Sequence, residues 1–391
     1  MRILIAHPGL RAGGSEARAM VLIEALQKHH DVTLLTGAPF DCGRLNAAYH
    51  TFVDDSRLSV RLAPMPERLR FSRGGDALRG AFLDRAAQKL AGSFDLCIGA
   101  YNFTSFGRPG IQFVADFSFD DQVRHAFDGV SHGLRGALQR EGPARALYLS
   151  LCGRISGVAG LPRPAPGDVV VANSRWTADL LKVRHGIVSR VVYPPVHAAP
   201  VEPGERSGDF VMLGRIAPDK RVLEAIDILS KVRARGHRFD FHIVGDAPND
   251  AYGRIVQAKA GEHADWVRLT GGLWGAEKFA FLGRHSFALH VRRREAFGIA
   301  VAEMVKMGLA PFVPSQSAPA EIVGDERLTF ADEDHAVEQI DALLRQPADV
   351  AAVKAGLAER GRVFSTEAFR AAALAIIEET LPSRRTLEAA R

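Results

Sequence analysis

The chain opens on a short apolar run, RILIA, followed by a glycine-rich turn and then SEARAMVLIEALQKH, where Ala17, Met20, Val21, Ile23 and Leu26 recur at helical spacing. A second apolar run, DVTLLTG, comes next, so the opening reads strand, loop, helix, strand, the unit from which parallel sheets are built. FDLCIGA, IQFVADF, DVVVANS and RVVYPP repeat the strand pattern. The first half is therefore expected to be a Rossmann-like α/β domain.

A proline-rich stretch without regular periodicity, Tyr193 to Asp209, breaks this rhythm and reads as a linker. Beyond it the alternation restarts with FVMLG, DKRVLEAIDILSKVRARG and FDFHIVGD, and continues through WVRLTGG, FALHV, GIAVAEMVKMG and APFVP to HAVEQIDALLRQ. The pattern predicts two Rossmann-like domains, residues 1–197 and 198–365, facing each other across a cleft at the carboxyl ends of their strands, where ligands of such folds bind. The amphipathic stretch TEAFRAAALAIIEETL predicts a final helix within 366–391 that packs back on the first domain.

Composition agrees with that division: 391 residues, 47% hydrophobic and 24% charged, exceed what one ordinary core organises. Fifty Lys and Arg against 45 Asp and Glu give +5 without a block of five or more basic residues. This favours an anionic small molecule or a membrane surface as partner over a dedicated nucleic-acid binder, and no nucleic-acid partner is expected. Cys42, Cys97 and Cys152 form neither a disulfide framework nor a CxxC metal site, which points to a cytoplasmic protein. The first residues lack a signal-peptide core, and no 18-residue apolar window predicts a membrane span. Ser131 to Pro164 mixes arginines with Leu and Tyr at helical spacing. It reads either as a helical insertion packed on the first domain or as a basic amphipathic surface for the inner face of a membrane.

Three segments carry candidate chemistry. GLRAGGSEA, Gly9 to Ala17, joins a strand to a helix, the context in which backbone N–H groups bind phosphate. It is neither GxGxxG nor a P-loop, and DVTLLTG offers no acidic residue at the second strand, which argues against a nicotinamide dehydrogenase. Gly13 and Gly14 permit close approach of a ligand, although a tight turn capped by Ser15 explains them equally well. In GRIAPDKR, Arg215 and Lys220 flank a Pro-Asp turn where two cations would clamp a diphosphate; helix-capping surface charges are the alternative. In RRREAFGIAVAEMVKMG, Phe297-Gly298 breaks any helix begun in the arginines. That puts Glu295 in a loop, starts the helix at 297–299 and sets Glu303 one turn in, with the N–H groups of Phe297, Gly298 and Ile299 available to an anion. The alternative is one ion-paired helix face. Arg292 to Arg294 serve the acceptor, the surface or Glu295. Asp332-Glu333-Asp334 precedes a helix and reads as N-capping rather than a metal motif. His7 and His290, at strand ends, are either structural or ligand contacts.

Taken together, GGSE after the first strand, ANSRWTADLL with YPP before the linker, GRIAPDK, and EAFGIAVAE with its E-x7-E spacing resemble a family 4 glycosyltransferase of the GT-B fold. The resemblance runs in order through nearly the whole chain. It implies a retaining, nucleotide-sugar-dependent hexosyltransferase of polysaccharide biosynthesis, with the acceptor on the first domain and the donor on the second. It further implies Arg215 and Lys220 on the diphosphate, Glu303 on the ribose, and Glu295 on the sugar hydroxyls. Phe297, Gly298 and Ile299 would meet phosphate and sugar, Leu273 would border the base, and Gly13 and Gly14 would approach the donor. ALHVRRREAFGIAVAEM is similar to members that extend mannose chains on lipid-linked acceptors.

Two positions depart from the pattern. Asp116, in Ala115-Asp116, stands where many members carry a histidine, and it would be either a positioning or a basic group. SAPAEIV, Ser317 to Val323, replaces the familiar Gly-Gly pair. The expectation is therefore transfer to a glycan or lipid-linked acceptor with Glu295, Arg215, Lys220 and Asp116 as the catalytic set, no cofactor beyond the co-substrate, and no metal. A nucleotide-sugar epimerase or hydrolase, and a GT-B protein that binds nucleotide without turnover, are the competing readings.

Overall fold

The computed structural model describes residues 1–10, 13–71, 75–128, 142–158, 162–198 and 204–381. The chain divides into two units, Met1–Pro195 with Thr366–Arg391, and Val196–Ser365. In the first, seven parallel strands are β1 (Arg2–His7), β2 (Asp31–Thr36), β3 (Ser59–Leu62), β4 (Leu96–Gly99), β5 (Ile111–Val114), β6 (Val169–Ala172) and β7 (Arg190–Val191). They lie in the order β3-β2-β1-β4-β5-β6-β7. This is a doubly wound sheet whose order reverses between β1 and β4, so a crevice opens at the carboxyl ends of those two strands. Ile3, Leu4, Ile5 and Ala6 are fully buried because helices cover both faces of a central parallel strand, which is why the run shows no alternation.

The helix Thr366–Thr380 belongs to this first unit. Phe369, Ala373, Ile376 and Ile377 lie in one core with Ile3, Ile5, Leu22 and Phe113, and Arg370 reaches Glu24 at 3.0 Å. The helix Arg175–His185 starts where Ser174 accepts a hydrogen bond from the Thr177 N–H at 3.0 Å, and it stops at Gly186 in the left-handed region. The helix Pro143–Ser156 packs on Asp76–Ala91 and turns Cys152 and an Arg145–Asp121 pair inward. It leaves Leu147 and Leu151, one turn apart, 74% and 50% exposed. Residues 131–141 and 159–161 of the basic amphipathic segment lie outside the described residues.

The second unit repeats the plan. Its strands are β8 (Ser207–Leu213), β9 (Phe241–Val244), β10 (Val267–Gly271), β11 (His285–Leu289), β12 (Ala310–Pro314) and β13 (Thr329–Phe330), ordered β10-β9-β8-β11-β12-β13. The order reverses between β8 and β11, so Gly214-Arg215 and His290-Val291 emerge side by side at the switch point. Phe210 anchors the core here, stacking on Phe287 at 5.3 Å and on Phe312 at 6.2 Å. No described helix is long and apolar enough to cross a membrane.

Candidate active site

The second unit's site is built from the loops after β8 and β11. Gly214 leaves β8 with φ +147°, a conformation open to glycine, and Ala217 is extended. Pro218–Lys220 then forms a single 3-10 turn, closed by the Lys220 N–H on the Ala217 carbonyl at 2.9 Å. This turn folds Lys220 back beside Gly214, within 3.7 Å of where a Cβ would stand. Its Nζ lies 3.0 Å from Glu295 Oε2. Arg215 stays exposed, with no ion pair among the described residues.

From β11 the chain passes His290 and runs irregularly to Gly298, whose φ of +97° precedes the helix Ile299–Lys306. The break expected at Phe-Gly is thus real, and it separates the two glutamates. Glu295 sits in the loop, its carbonyl accepting from the Ala318 N–H at 3.1 Å, while Glu303 lies in the helix. Glycine is required at 298 twice over: by the positive φ, and because a Cβ would come 3.0 Å from Pro319 Cγ. The first N–H groups of the helix have no intrahelical acceptor and present positive potential at this end.

The glutamates differ in electrostatics as well. Burial alone would raise the Glu295 carboxyl, but Lys220 and Arg292 overcome it and hold it at about 2. Arg292 Nε lies 3.5 Å from Glu295, and its Nη1 lies 2.8 Å from Asp219. Lys220, Arg292, Asp219 and Glu295 therefore form one charged cluster, each side chain less than a fifth exposed. His290 Nε2 is 3.8 Å from Glu295, fully buried and without a hydrogen bond. Burial, assisted by Lys220, lowers this imidazole to about 4, so it is neutral at physiological pH. Glu303 instead has one cationic partner, Lys278, at 2.6 Å, and burial leaves its carboxyl above the usual range despite that pair.

Around this centre, Leu273 is half-buried just beyond β10. Asp332 caps the next helix by accepting from the His335 N–H at 2.9 Å. Glu333 takes Arg221 at 2.8 Å and Arg293 at 3.2 Å, and Asp334 takes Lys231 at 2.7 Å. The acidic triplet is thus a cap with ion pairs. Ser317 donates its hydroxyl to the Pro314 carbonyl at 2.7 Å, holding the loop where the Gly-Gly pair was absent.

In the first unit, the switch point brings His7, Tyr101 and Asp116 into view. Asp116 accepts from Tyr101 Oη at 2.9 Å, Asn102 Nδ2 at 2.8 Å and the Ser118 N–H at 2.9 Å. The His7 ring lies 5.8 Å from that of Tyr101. The Gly9 N–H donates to His7 Nδ1 at 3.2 Å, so Nε2 carries the proton and is buried without a partner. Burial, assisted by Arg18, lowers His7 to about 3. Arg18 is itself buried, donating to the Ala100 carbonyl at 2.7 Å, and burial brings its guanidinium down to about 10. Gly13 precedes the helix Gly14–Leu26 in extended backbone that any residue adopts. Its N–H donates to Tyr49 Oη at 2.6 Å and its carbonyl accepts from the same hydroxyl at 2.8 Å. Arg11 and Ala12 of this loop lie outside the described residues.

Within the second unit the structure gathers Lys220 and Glu295 into one cluster and pairs Glu303 with Lys278. Sequence reasoning missed Asp219 and Lys278 and left Arg292 and His290 undecided. Asp219 and Lys278 meet partners far along the chain that no local spacing signals, whereas Arg292 lies three residues before Glu295 and takes it as a partner, one of the readings its position left open.

Residues 207–346 match the family model of the group 1 glycosyl transferases. No curated protein matches the chain. Among solved structures, sucrose-phosphate synthase from Thermosynechococcus elongatus superposes with a TM-score of 0.70 at 15% identity, covering 100% of both chains. WaaG, a glycosyltransferase involved in lipopolysaccharide biosynthesis, gives 0.65 at 14% over 96% of this chain and 99% of its own. Anabaena HepE, solved with UDP and glucose, gives 0.64 at 14% over 97% of this chain and 100% of its own. With two doubly wound sheets that superpose on glycosyltransferases of this architecture, the chain has the GT-B fold, and residues 207–346 of its second unit match the group 1 glycosyl transferase domain.

Proposed function

We propose that the protein transfers a sugar from a nucleoside-diphosphate sugar to an acceptor hydroxyl on a glycan or lipid-linked saccharide, with retention of anomeric configuration. The observation that carries this reading is the clustering of Lys220, Arg292 and Glu295 beside the N-terminus of Ile299–Lys306, with Glu303 one turn further in. HepE, similar in fold, is described with UDP and with UDP-glucose. UDP-glucose is accordingly the first donor to test.

As the anomeric C–O bond breaks, negative charge gathers on the leaving diphosphate. Lys220, exposed Arg215 and the helix N-terminus with Gly298 and Ile299 meet that charge, stabilising the transition state more than the ground state. These fixed positive groups supply the charge that a metal supplies in other transferases. Glu303 accepts from the ribose hydroxyls, each such bond worth about 1.5–3 kcal/mol when one partner is charged. Leu273 borders the base. Glu295, kept ionised by its cations, orients the sugar through its hydroxyls. With retention, the departing phosphate takes the acceptor proton, so no protein base is required. Asp116 is then a positioning residue that fixes Tyr101 and Asn102. Leu147 and Leu151, exposed side by side, support an acceptor presented at a membrane surface.

The test is nucleoside-diphosphate release from UDP-sugars with and without glycan or lipid-linked acceptors, followed by NMR of the anomeric centre. Acceptor-dependent release with a retained anomer is expected. Equal turnover without acceptor would instead make the protein a hydrolase or epimerase.

A further inference from the structure

The amino ends of the second sheet carry a different chemistry from its carboxyl ends. Central strands of a parallel sheet are covered on both faces and are expected to be apolar. Yet β8, β9 and β11, which are neighbours in the sheet, carry Asp209, His242 and His285 at or near their starts. One ligating atom from each of the three lies within 4.8 Å of the others, and this is the one such group among the described residues. The two imidazole rings are T-shaped to each other with centroids 4.8 Å apart. Between the pairs His285↔Ser207 and Phe287↔Phe210, β8 carries one extra residue, the kind of irregularity that re-aims side chains.

The protonation pattern also suits a cation. His285 Nδ1 lies 2.7 Å from the Phe281 carbonyl, which can only accept, so Nδ1 holds the proton and Nε2 keeps its lone pair. A ring nitrogen donating to a backbone carbonyl while the other ligates is the usual arrangement of a metal-binding histidine. His242 has no hydrogen bond among the described residues. Burial lowers both imidazoles, so both are neutral near pH 7. Asp209 accepts from the Asp240 N–H through Oδ1 at 2.7 Å, which leaves Oδ2 for a cation. Two guanidinium groups near the site are engaged elsewhere: Arg268 on β10 is held by Asp240 at 3.1 Å, and Arg206 donates to the His285 backbone carbonyl at 3.0 Å.

We propose that Asp209, His242 and His285 bind one divalent transition-metal ion, zinc by the character of two imidazoles and a carboxylate, with water completing the shell. Ligands on tetrahedral zinc stand about 3.4 Å apart for bonds of ~2.1 Å. The ligating atoms lie within 4.8 Å of one another, so metal binding requires the half-buried Asp209 and His242 to draw in toward His285. The ion ties three strands together at the end of the sheet opposite Lys220 and Glu295, so its role is structural and separate from donor binding.

The test uses the full-length, untagged protein stripped with a chelator and titrated with zinc chloride against a competing chelator, with thermal unfolding measured in parallel. Wild type is expected to take up one zinc at this site and unfold several degrees higher with the metal. His242→Asn, at a half-buried position, should fold normally and lose about 100-fold or more in affinity together with the thermal shift. Outer-sphere partners alone are worth roughly 10–100-fold. Asp209→Asn checks the carboxylate in the same way, and UDP affinity measured in both variants reports that the carboxyl end of the sheet is intact. A difference of less than tenfold between wild type and His242→Asn, or a wild-type unfolding temperature that zinc leaves unchanged, overturns the proposal.

Discussion

Replacing Lys220 by Ala removes one of two cations from a buried carboxylate, and the structure sets the size of the consequence. At an effective dielectric of 20, unit charges 3.0 Å apart attract by about 5.5 kcal/mol, and at the 3.5 Å of Arg292 by about 4.7 kcal/mol. Both Lys220 and Glu295 side chains are less than a fifth exposed, so screening removes little of this. Stranding a buried charge completely costs roughly 3–5 kcal/mol. Because Arg292 remains, Lys220→Ala should cost about 2 kcal/mol in stability, read from urea denaturation of the variant and wild type. The catalytic effect is separate. Loss of one preorganised cation at the leaving group raises the barrier by about 2–4 kcal/mol, which lowers kcat/KM by roughly 30- to 900-fold. UDP affinity, read by calorimetry, should fall roughly 10- to 100-fold. Glu295→Gln disturbs the same pair but leaves the ammonium in place, so it should lose stability while keeping UDP affinity and losing turnover. A Lys220→Ala variant that binds UDP with the wild-type Kd would refute the placement of Lys220 on the diphosphate, whatever its stability.

Three further outcomes follow from the geometry. Gly298→Ala forces a β-carbon into a left-handed backbone and against Pro319; it should destabilise by about 1–2 kcal/mol and weaken UDP binding, and an unaltered melting temperature would contradict the strain argument. Asp116→Asn keeps one oxygen to accept from Asn102 and the Ser118 N–H and turns an amide donor toward the Tyr101 hydroxyl, which can accept, so kcat should stay within about tenfold of wild type if the residue positions and does not abstract a proton; a loss of about 100-fold or more, in the range general-base catalysis contributes, would make it the base. His7 is neutral in the folded state down to about pH 3, whereas an exposed histidine protonates near 6.5. Below pH 6.5 only the unfolded state gains that proton, so stability falls as pH drops from 6.5 toward 3. His290 adds a like loss down to about 4, and Glu295 adds one between its unfolded 4.5 and about 2. His7→Gln should therefore lessen the pH dependence of the urea midpoint, by about 2–3 kcal/mol of stability between pH 6.5 and 4.5, and an unchanged slope would show that His7 protonates freely when folded.

Much of the fold was legible because a central parallel strand cannot hide its apolar run. RILIA, FVMLG and FALHV announce β1, β8 and β11, and the prolines after Tyr193 announce the break between units. Edge strands were not legible: β3, SVRL, is exposed along its length, and Val60 and Leu62 alone make too short a run to stand out. In the second unit, Phe-Gly told Glu295 from Glu303 by local backbone chemistry alone. What surrounds them was hidden because the partners are non-local. Lys278 meets Glu303 across 25 residues, and Lys220 meets Glu295 across 75. Only the order of strands, which reverses between β8 and β11, brings such groups together. Asp209, His242 and His285 were invisible for the same reason, since each looks like an isolated polar residue at the start of its own strand.

The account's central claim, that the second unit holds a nucleoside-diphosphate sugar with Glu303 on the ribose, is tested most directly by the affinities of UDP and of inorganic pyrophosphate for wild type and for Glu303→Gln. Wild type should bind UDP more tightly than pyrophosphate, and the substitution should cost UDP roughly tenfold or more while leaving pyrophosphate unchanged. Equal losses for both ligands, or no binding of UDP to wild type, would contradict it.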